Sequence, residues 1–415
     1  MNYLFQLGRL TTISIAEILC FFKESEIKNI FPQFAHIEPE QKFDSKEIAQ
    51  QFLRNLGGIP KILKIFAIVN SKEEIIETIK KYLIENYGAN SKIIFGLNAY
   101  FLSNNFGISL ESLLKTIKRD LQKEDFSVRF LNRGQGNIEI PIFFKEKLNT
   151  KKGSELNIIK IQNDFYLAET IAVQEINEYS FRDFDKPFRD AKTGMLPPKL
   201  AQILINLGIK NANRYSLTAN HSIIIDPFCG SGTILMESLL MGLNTYGSDT
   251  SEKQLEGAKQ NIKWLRENFE INPELKSEIS LQNAENFEIP KNIENPVIVT
   301  EGYLGPPQSR FPHPNLIHSV HENLFYLYSN FFKKLKSTKI KSIVLTLPAY
   351  KDAKNYVLFE EFLEIIEKSG FELICPFSDN FLKTHPYFFL SNRGTLIYDR
   401  DNQIVGREII ILKSS

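Results

Sequence analysis

Cysteine, tryptophan and methionine are scarce in this chain, with three, one and four copies among 415 residues. Cys20, Cys229 and Cys375 lie far apart in sequence, which speaks against a disulfide framework or a paired-cysteine zinc site and suits a reducing compartment. No uninterrupted apolar run reaches the ~18 residues of a membrane span. The opening MNYLFQLGRLTTISIAEILCFF has no basic start, and Arg9 interrupts it, so it does not read as a secretory signal. The expected location is the cytoplasm, with no membrane partner. An excess of one charge is also missing: 50 basic against 49 acidic residues leave +1, so a polyanionic partner must be met by a local patch. What is present, 43% hydrophobic and 24% charged residues, is the composition of a folded globular protein, and the length suits two or three domains.

Residues 1–70 read as a small α/β domain: an extended start, a helical AEILCFF, then helix, a Gly57–Gly58 break and a strand entered at Pro60. Residues 71–165 alternate helix and strand and form a second α/β unit. Across residues 61–160 there are 17 Lys and Arg against 11 Asp and Glu, whereas residues 166–415 hold 27 against 30. The basic surplus is therefore local. Lys115, Lys118, Arg119, Lys123, Arg129 and Arg133 cluster around Phe126 and Phe130, a grouping suited to phosphate contacts or to a solvated helix face. Residues 166–195 are too aromatic for a flexible linker and read as an ordered connector.

From residue 196 onward, helices alternate with apolar strands, which implies a doubly wound, mostly parallel α/β sheet. Leu200, Ile203, Leu204 and Leu207 mark one helix face, framed by Pro197–Pro198 and Gly208. The sequence ends in a hairpin expected to turn at Asp401–Asn402. The informative segment is SIIIDPFCGSGTILMESLLMG. A strand closes at Asp226, a turn with Gly230 and Gly232 follows, and a helix opens near Thr233, where glycines admit a ligand to backbone amides. No Lys follows the second glycine, which disfavours a P-loop, and the GxGxxG spacing is absent. Asp249 closes the next strand, where an acid binds ribose hydroxyls. Ser251 and Gln254 suit a capping box, and Asn283–Ala284 at the third strand end offers an amide to an adenine edge.

These segments, DPFCGSGT, YGSDTS and QNA, resemble the first three motifs of S-adenosylmethionine-dependent methyltransferases of the doubly wound, Rossmann-like class. With GMLPPKLAQILINL, FGLNAY, FSVRF and the closing VGREIIIL, the chain resembles the THUMP-containing tRNA guanosine-N2 methyltransferases. The resemblance implies a ferredoxin-like domain at 1–70 and a THUMP RNA-binding domain at 71–165, which grip tRNA, and a methyltransferase domain at 196–415. It implies S-adenosylmethionine contacts at Asp226, Pro227, Phe228, Cys229, Gly230, Ser231, Gly232, Thr233, Asp249, Asn283 and Ala284, with Met195 and Pro197 beside them. Asp226 either holds the loop or faces the cationic amino-acid part of the cofactor.

An exocyclic amine is a poor nucleophile because its lone pair is delocalised, so acceptors on its hydrogens and a close approach to the methyl must make the reaction possible. The family carries Asp or Asn, two prolines and an aromatic at the fourth strand end. Here the segment is VIVTEGYLGPPQ, so Glu301 and Tyr303 take the catalytic positions while the prolines are lost, and Gly302 loosens the turn unless packing fixes it. A second register, Gly305-Pro306-Pro307-Gln308, has no acid. Arg310 suits phosphate, and His313, His318 and His321 have no familiar metal-ligand spacing, so no metal is expected. The readings left open are methylation of another amino group in ribosomal RNA, DNA or protein glutamine, and a noncatalytic RNA-binding protein on the same fold. The sequence also leaves open a small activating protein partner.

Overall fold

The computed structural model describes residues 2–87, 92–101, 109–132, 136–190, 195–212, 222–290, 293–336, 338–352, 355–401 and 403–414. In chain order the first part holds β1 (Tyr3–Gln6), α1 (Thr11–Ile18), β2 (Ile27–Phe31), β3 (Phe34–Ile37), α2 (Lys46–Arg54), β4 (Lys61–Val69), α3 (Lys72–Tyr87), β5 (Lys92–Tyr100), α4 (Leu110–Lys123), β6 (Ser127–Phe130), α5 (Ile140–Lys145), β7 (Ser154–Ile161) and β8 (Asp164–Val173). There follow α6 (Ile176–Phe184), α7 (Pro198–Ala212), β9 (Ile223–Asp226), α8 (Thr233–Leu240), β10 (Asn244–Asp249), α9 (Glu252–Asn268), β11 (Ser277–Leu281), β12 (Pro296–Glu301) and α10 (Pro314–Leu335). The last elements are β13 (Ser342–Asp352), β14 (Asn355–Val357), α11 (Phe362–Ser369), β15 (Phe371–Leu373), α12 (Asp379–Thr384), β16 (Leu396–Tyr398) and β17 (Val405–Ser414).

Two compact units result, and the chain visits them more than once. The first comprises Met1–Arg9, Phe22–Arg54 and Ile59–Gln174. Its strands form one sheet in the order β2-β3-β1-β4-β8-β7-β5-β6. β8 pairs antiparallel with both β4 and β7 and so joins residues 1–70 to residues 71–165 in a single sheet. The boundary expected at 165 therefore falls inside β8, which runs on to Val173; the later aromatics of the segment, Tyr179, Phe181, Phe184 and Phe188, lie on α6 and the stretch after it. Leu113, Leu114, Ile117 and Leu121 of α4 and Ile75, Ile79 and Leu83 of α3 supply the apolar core at helical spacing.

The second unit comprises Leu10–Phe21, Asn55–Gly58 and Glu175–Ser415. Its sheet runs β11-β10-β9-β12-β13-β17-β15. β11, β10, β9, β12 and β13 are mutually parallel, whereas β17 inserts antiparallel between β13 and β15 and pairs with β16. The first five strands thus follow the order of a doubly wound fold, which reverses between β9 and β12 and opens a crevice at their carboxyl ends. Apolar faces of α10 and α11, among them Leu324, Phe331, Phe332, Phe362 and Ile365, cover one side of the sheet.

Two local expectations change, and the strands of the closing hairpin pair as expected. α7 runs past Gly208 to Ala212, because that glycine is a contact and not a stop: a Cβ there would lie 2.9 and 3.0 Å from the Val299 and Val297 side chains. The capping box is half formed, since Ser251 caps α9 while the Gln254 side chain donates to Asp190 Oδ2 at 2.8 Å. β16 and β17 pair antiparallel as the hairpin requires, but Asn402 of its turn lies outside the described residues.

A buried carboxylate ties residues 10–21 and 55–58 to each other and to α7 of the second unit. Glu17 accepts from the Gly57 and Gly58 amides (2.8 and 2.7 Å) and from Asn206 Nδ2 of α7 (2.9 Å), and burial pushes its carboxyl up to about 7 despite these donors. Gly57 rests on the head of α7, where a Cβ would sit 1.9 Å from the Lys199 carbonyl oxygen. Gly57→Ala should therefore destabilise the second unit by at least the ~1–3 kcal/mol of an overpacked core. Thermal unfolding should show a loss of several degrees, and an unchanged midpoint would refute this docking.

Candidate active site

The site forms where β9 and β12 end side by side. Asp226, only 2% exposed, closes β9 and accepts from the Thr300 hydroxyl of β12 (2.5 Å) and the Phe228 amide (3.2 Å). Burial pushes its carboxyl up to about 7, against the pull of those two donors and with Asp249 and Glu301 adding to the rise. Of its two expected roles, the geometry gives Asp226 the inner one, holding the turn.

Beyond it, Pro227 and Phe228 lead into the glycine turn, and Phe228 packs against Tyr328 and Phe331. Gly230 has φ +49°, and nothing lies within 4 Å of where its Cβ would be, so the backbone faces open space. Gly232, at φ +84°, caps α8 without a side-chain acceptor for the first amides of the helix. Cys229 is buried beneath Gly247 and its thiol is pushed up by burial, so it serves as packing. Asp249 takes the Gly230 amide on Oδ2 (3.0 Å) and the Ser251 amide on Oδ1 (2.9 Å), which fixes the carboxylate at the turn with lone pairs to spare. Asn283 is exposed and accepts the Glu285 amide through Oδ1 (2.9 Å), while Ala284 beside it is buried. Met195 is half-buried and Pro197 buried just before α7.

A strap at residues 185–190, unassigned by sequence pattern, lies along the same turn. Buried Asn261 of α9 accepts the Phe188 amide (2.9 Å) and donates to the carbonyls of Phe188 (3.0 Å) and Ser231 (2.9 Å). Gly257 makes room for the Phe188 ring, which a Cβ would meet at 2.2 Å. The strap delivers Lys186 to Thr233 at the start of α8, 3.4 Å from its hydroxyl.

At the end of β12, Glu301 is partly exposed and its Oε1 is held by Arg407 Nε of β17, reaching across β13. Sequence pattern does not point to Arg407; its signal is a charged pair, Arg407–Glu408, inside an otherwise apolar strand. Tyr303 is 50% exposed. Between them Gly302 is buried, and a Cβ there would stand 2.0 Å from Tyr328 Oη and 2.7 Å from the Thr346 carbonyl oxygen. Packing thus fixes a turn that has no proline, with the Tyr328 hydroxyl, buried and unpartnered among the described residues, in the space beside it. In the Gly305-Pro306-Pro307-Gln308 segment, Gln308 donates to the Pro306 carbonyl (2.8 Å). Arg310 is exposed. His313 caps α10, His318 faces Glu322 on the surface, and buried His321 packs on Phe359 and Tyr350. Among the described residues, no three His, Cys, Asp or Glu side chains converge on a metal position.

In the first unit, the basic cluster is largely paired. Lys115 meets Glu111, Arg119 and Lys123 share Asp120, and Arg129 meets Glu146. Lys118 lies over Phe130, and both Phe126 and Phe130 pack on the core, so neither offers a free stacking face. Exposed pairs of this kind are worth ~0–1 kcal/mol each. Arg133 lies outside the described residues.

Two measurements check this geometry. Because the Asp226 carboxyl titrates higher in the folded than in the unfolded chain, its stabilisation is complete below the unfolded value of ~4 and is lost as pH rises through about 7. The melting temperature should fall between pH 5 and 8, and Asp226→Asn should flatten part of that fall, leaving the share due to Glu17. Gly302→Ala should destabilise by ~1–3 kcal/mol and Tyr328→Phe by little or nothing, while the double variant recovers part of the loss. Strict additivity in denaturant unfolding would contradict the contact.

Comparison with known proteins follows the same segments. A family described as DNA methylase matches residues 122–260. The tRNA (guanine(10)-N2)-dimethyltransferase of Methanothermobacter thermautotrophicus is 34% identical over 106 residues, which is 25% of this chain and 28% of that protein. The enzyme of the same name from Pyrococcus abyssi is 37% identical over 93 residues, 21% of this chain and 25% of its own length. That of Methanocaldococcus jannaschii is 21% identical over 215 residues, 52% and 58% of the two chains. The chain thus matches between a quarter and three-fifths of the length of these curated relatives, and over those stretches it is similar to archaeal tRNA (guanine(10)-N2)-dimethyltransferases.

Proposed function

We propose that this chain is an S-adenosylmethionine-dependent methyltransferase acting on the exocyclic N2 amine of a guanosine in tRNA. The observation that carries the reading is the meeting of an open glycine turn and an acidic strand end at the reversal point of the sheet, joined by the Thr300–Asp226 hydrogen bond. Similarity to proteins named for that reaction narrows the substrate.

When bound, the cofactor supplies a methyl group on a sulfonium. The residues fit such a molecule: the space above Gly230 admits it, Asp249 keeps lone pairs for ribose hydroxyls, and the exposed Asn283 amide suits an adenine edge. Phe228, Ser231, Thr233, Ala284, Met195 and Pro197 complete the wall, to which Pro227 and Cys229 contribute backbone. Glu301 uses the carboxylate oxygen not bound by Arg407 to accept an amine hydrogen, which turns the nitrogen lone pair toward the methyl. Arg407 is a positioning residue, and Tyr303 stacks on the guanine. Residues 1–70, less the 10–21 and 55–58 segments that join the second unit, act as the ferredoxin-like part and 71–165 as the THUMP part, with Lys118 free to meet tRNA phosphate and Lys115, Arg119 and Arg129 exchanging their carboxylate partners for it. Arg310 adds a phosphate contact near the reacting base. The protein works in the cytoplasm.

A second reading, RNA binding without turnover, draws on the same ion pair, since an acid tied to Arg407 also serves as a strut between strands. Transfer of labelled methyl from S-adenosylmethionine to unmodified tRNA separates the two. N2-methylguanine should form, fall by ~100-fold or more in Glu301→Ala with cofactor binding intact, and be better retained in Arg407→Lys than in Arg407→Ala. Full activity of Glu301→Ala would move the chemistry to the Gly305–Gln308 register. Binding of tRNA and cofactor without incorporation would establish the noncatalytic reading.

A further inference from the structure

We infer that the exposed rings of Tyr387 and Phe389, backed by Tyr356, form a stacking platform at the rim of the crevice for unpaired nucleotides beside the target guanosine, an inference that rests on the RNA methyltransferase reading above. Tyr387 is 59% exposed and Phe389 50%. Phe388 between them turns inward onto Phe377, Phe381 and His385, and Phe381 itself stacks on both Phe377 and His385. The Phe389 amide donates to Thr12 Oγ1 (3.2 Å), and its ring meets that of Tyr356 at 5.9 Å. Tyr356 is in turn held at its tip, where the hydroxyl donates to Asp399 Oδ2 (2.8 Å) beside the Lys351 ammonium (2.7 Å). Rings kept in water on so firm a support add little to the fold and are already ordered for a ligand.

The platform is continuous with the reacting centre. Glu301 lies opposite Thr346 of the parallel neighbour β13, and four residues further Tyr350 stands at the mouth, its hydroxyl 3.0 Å from where a Gly305 Cβ would be. Burial and the neighbouring Tyr303 push that hydroxyl up to about 12. β14 pairs back on β13 and sets Val357 opposite Tyr350 and Tyr356 opposite Lys351. Thr346 and Lys351 are therefore separated by ~17 Å of strand. That is too far for the base being methylated and suits the nucleotides beside it.

The chemistry of the rings agrees with this occupant. A base whose amine is methylated has to leave its stack, which bares a face of each neighbour, and an aromatic ring takes up such a face whatever the base. Between Lys383 and Asn392 the exposed neighbours of the two rings are Lys383, Thr384, Pro386 and Asn392, without the contiguous apolar core on which a protein interface centres. Residues 374–401 hold three basic and three acidic side chains, so the contribution of this lobe is stacking and not attraction of phosphate.

The test is binding of unmodified tRNA by the full chain with S-adenosylhomocysteine present, together with its methylation. Tyr387→Ala and Phe389→Ala should each weaken tRNA binding by ~5–100-fold, the worth of one stacked base, and raise KM with it. The affinity for S-adenosylhomocysteine and kcat should stay within about twofold, and the slope of log Kd against log salt should not change. Phe389→Trp should bind as the native chain does, whereas Phe389→Leu, apolar but without a π-face, should fall as far as alanine. Leucine matching phenylalanine would mark an apolar face for a protein, and native affinity in both alanine variants would leave no stacking; either result overturns the platform while the methyltransferase reading stands. If the native chain neither binds nor methylates tRNA, that reading falls and the platform with it. Should an alanine variant unfold, the comparison of Phe389→Leu with Phe389→Trp decides by the same criterion.

Discussion

Asp226 holds two strand ends together from a position almost without water. Its hydrogen bond from Thr300 fixes the end of β9 against the end of β12, and its bond from the Phe228 amide sets the direction in which the glycine turn departs. Glu301 follows Thr300 directly, and Gly230 lies four residues beyond Asp226. A hydroxyl and an amide are enough to hold such a group but not to make it a comfortable anion, and the high titration of Asp226 follows from that imbalance.

Much of this was legible in the chain because it depends on local chemistry. The strand, the turn and the helix of SIIIDPFCGSGTILMESLL are dictated by apolar run, glycine pair and helix start, and they fall where the pattern puts them. The same holds for Asp249 and Asn283, each at a strand end. What was not legible depends on contacts between distant segments. Nothing in GREII says that Arg407 spans a neighbouring strand to Glu301, and nothing in FDKPFRD says that Lys186 is buried. Gly208 has the local features of a helix end, and only the valines of β12 explain its place in mid-helix. β8 shows the same limit, since nothing local to DFYLAETIAV says that it pairs with both β4 and β7 and so runs past the expected boundary.

The EGYL segment shows how a turn without proline can still be constrained. Prolines restrict a turn from within, through fixed φ. Here the restriction comes from outside, through the Tyr328 ring on α10 and the Thr346 carbonyl, which leave Gly302 no room for a side chain. The acidic group is likewise steadied by a partner, Arg407, and not by its own backbone. The rigidity of this strand end is distributed over α10, β13 and β17.

The second unit borrows residues 10–21 and 55–58 from the beginning of the chain, and this bears on synthesis. During translation α1 emerges well before α7, the helix whose Asn206 helps hold Glu17. At ~5–20 residues per second, the delay is on the order of 10–40 s. Throughout that interval Ile13, Ile15 and Ile18 have no native cover, and Glu17 has none of the burial that later shifts it. The nascent chain must keep a sticky helix in solution until its docking surface exists. Chaperone demand in this protein should therefore concentrate on its first twenty residues, far from the chemistry they eventually support.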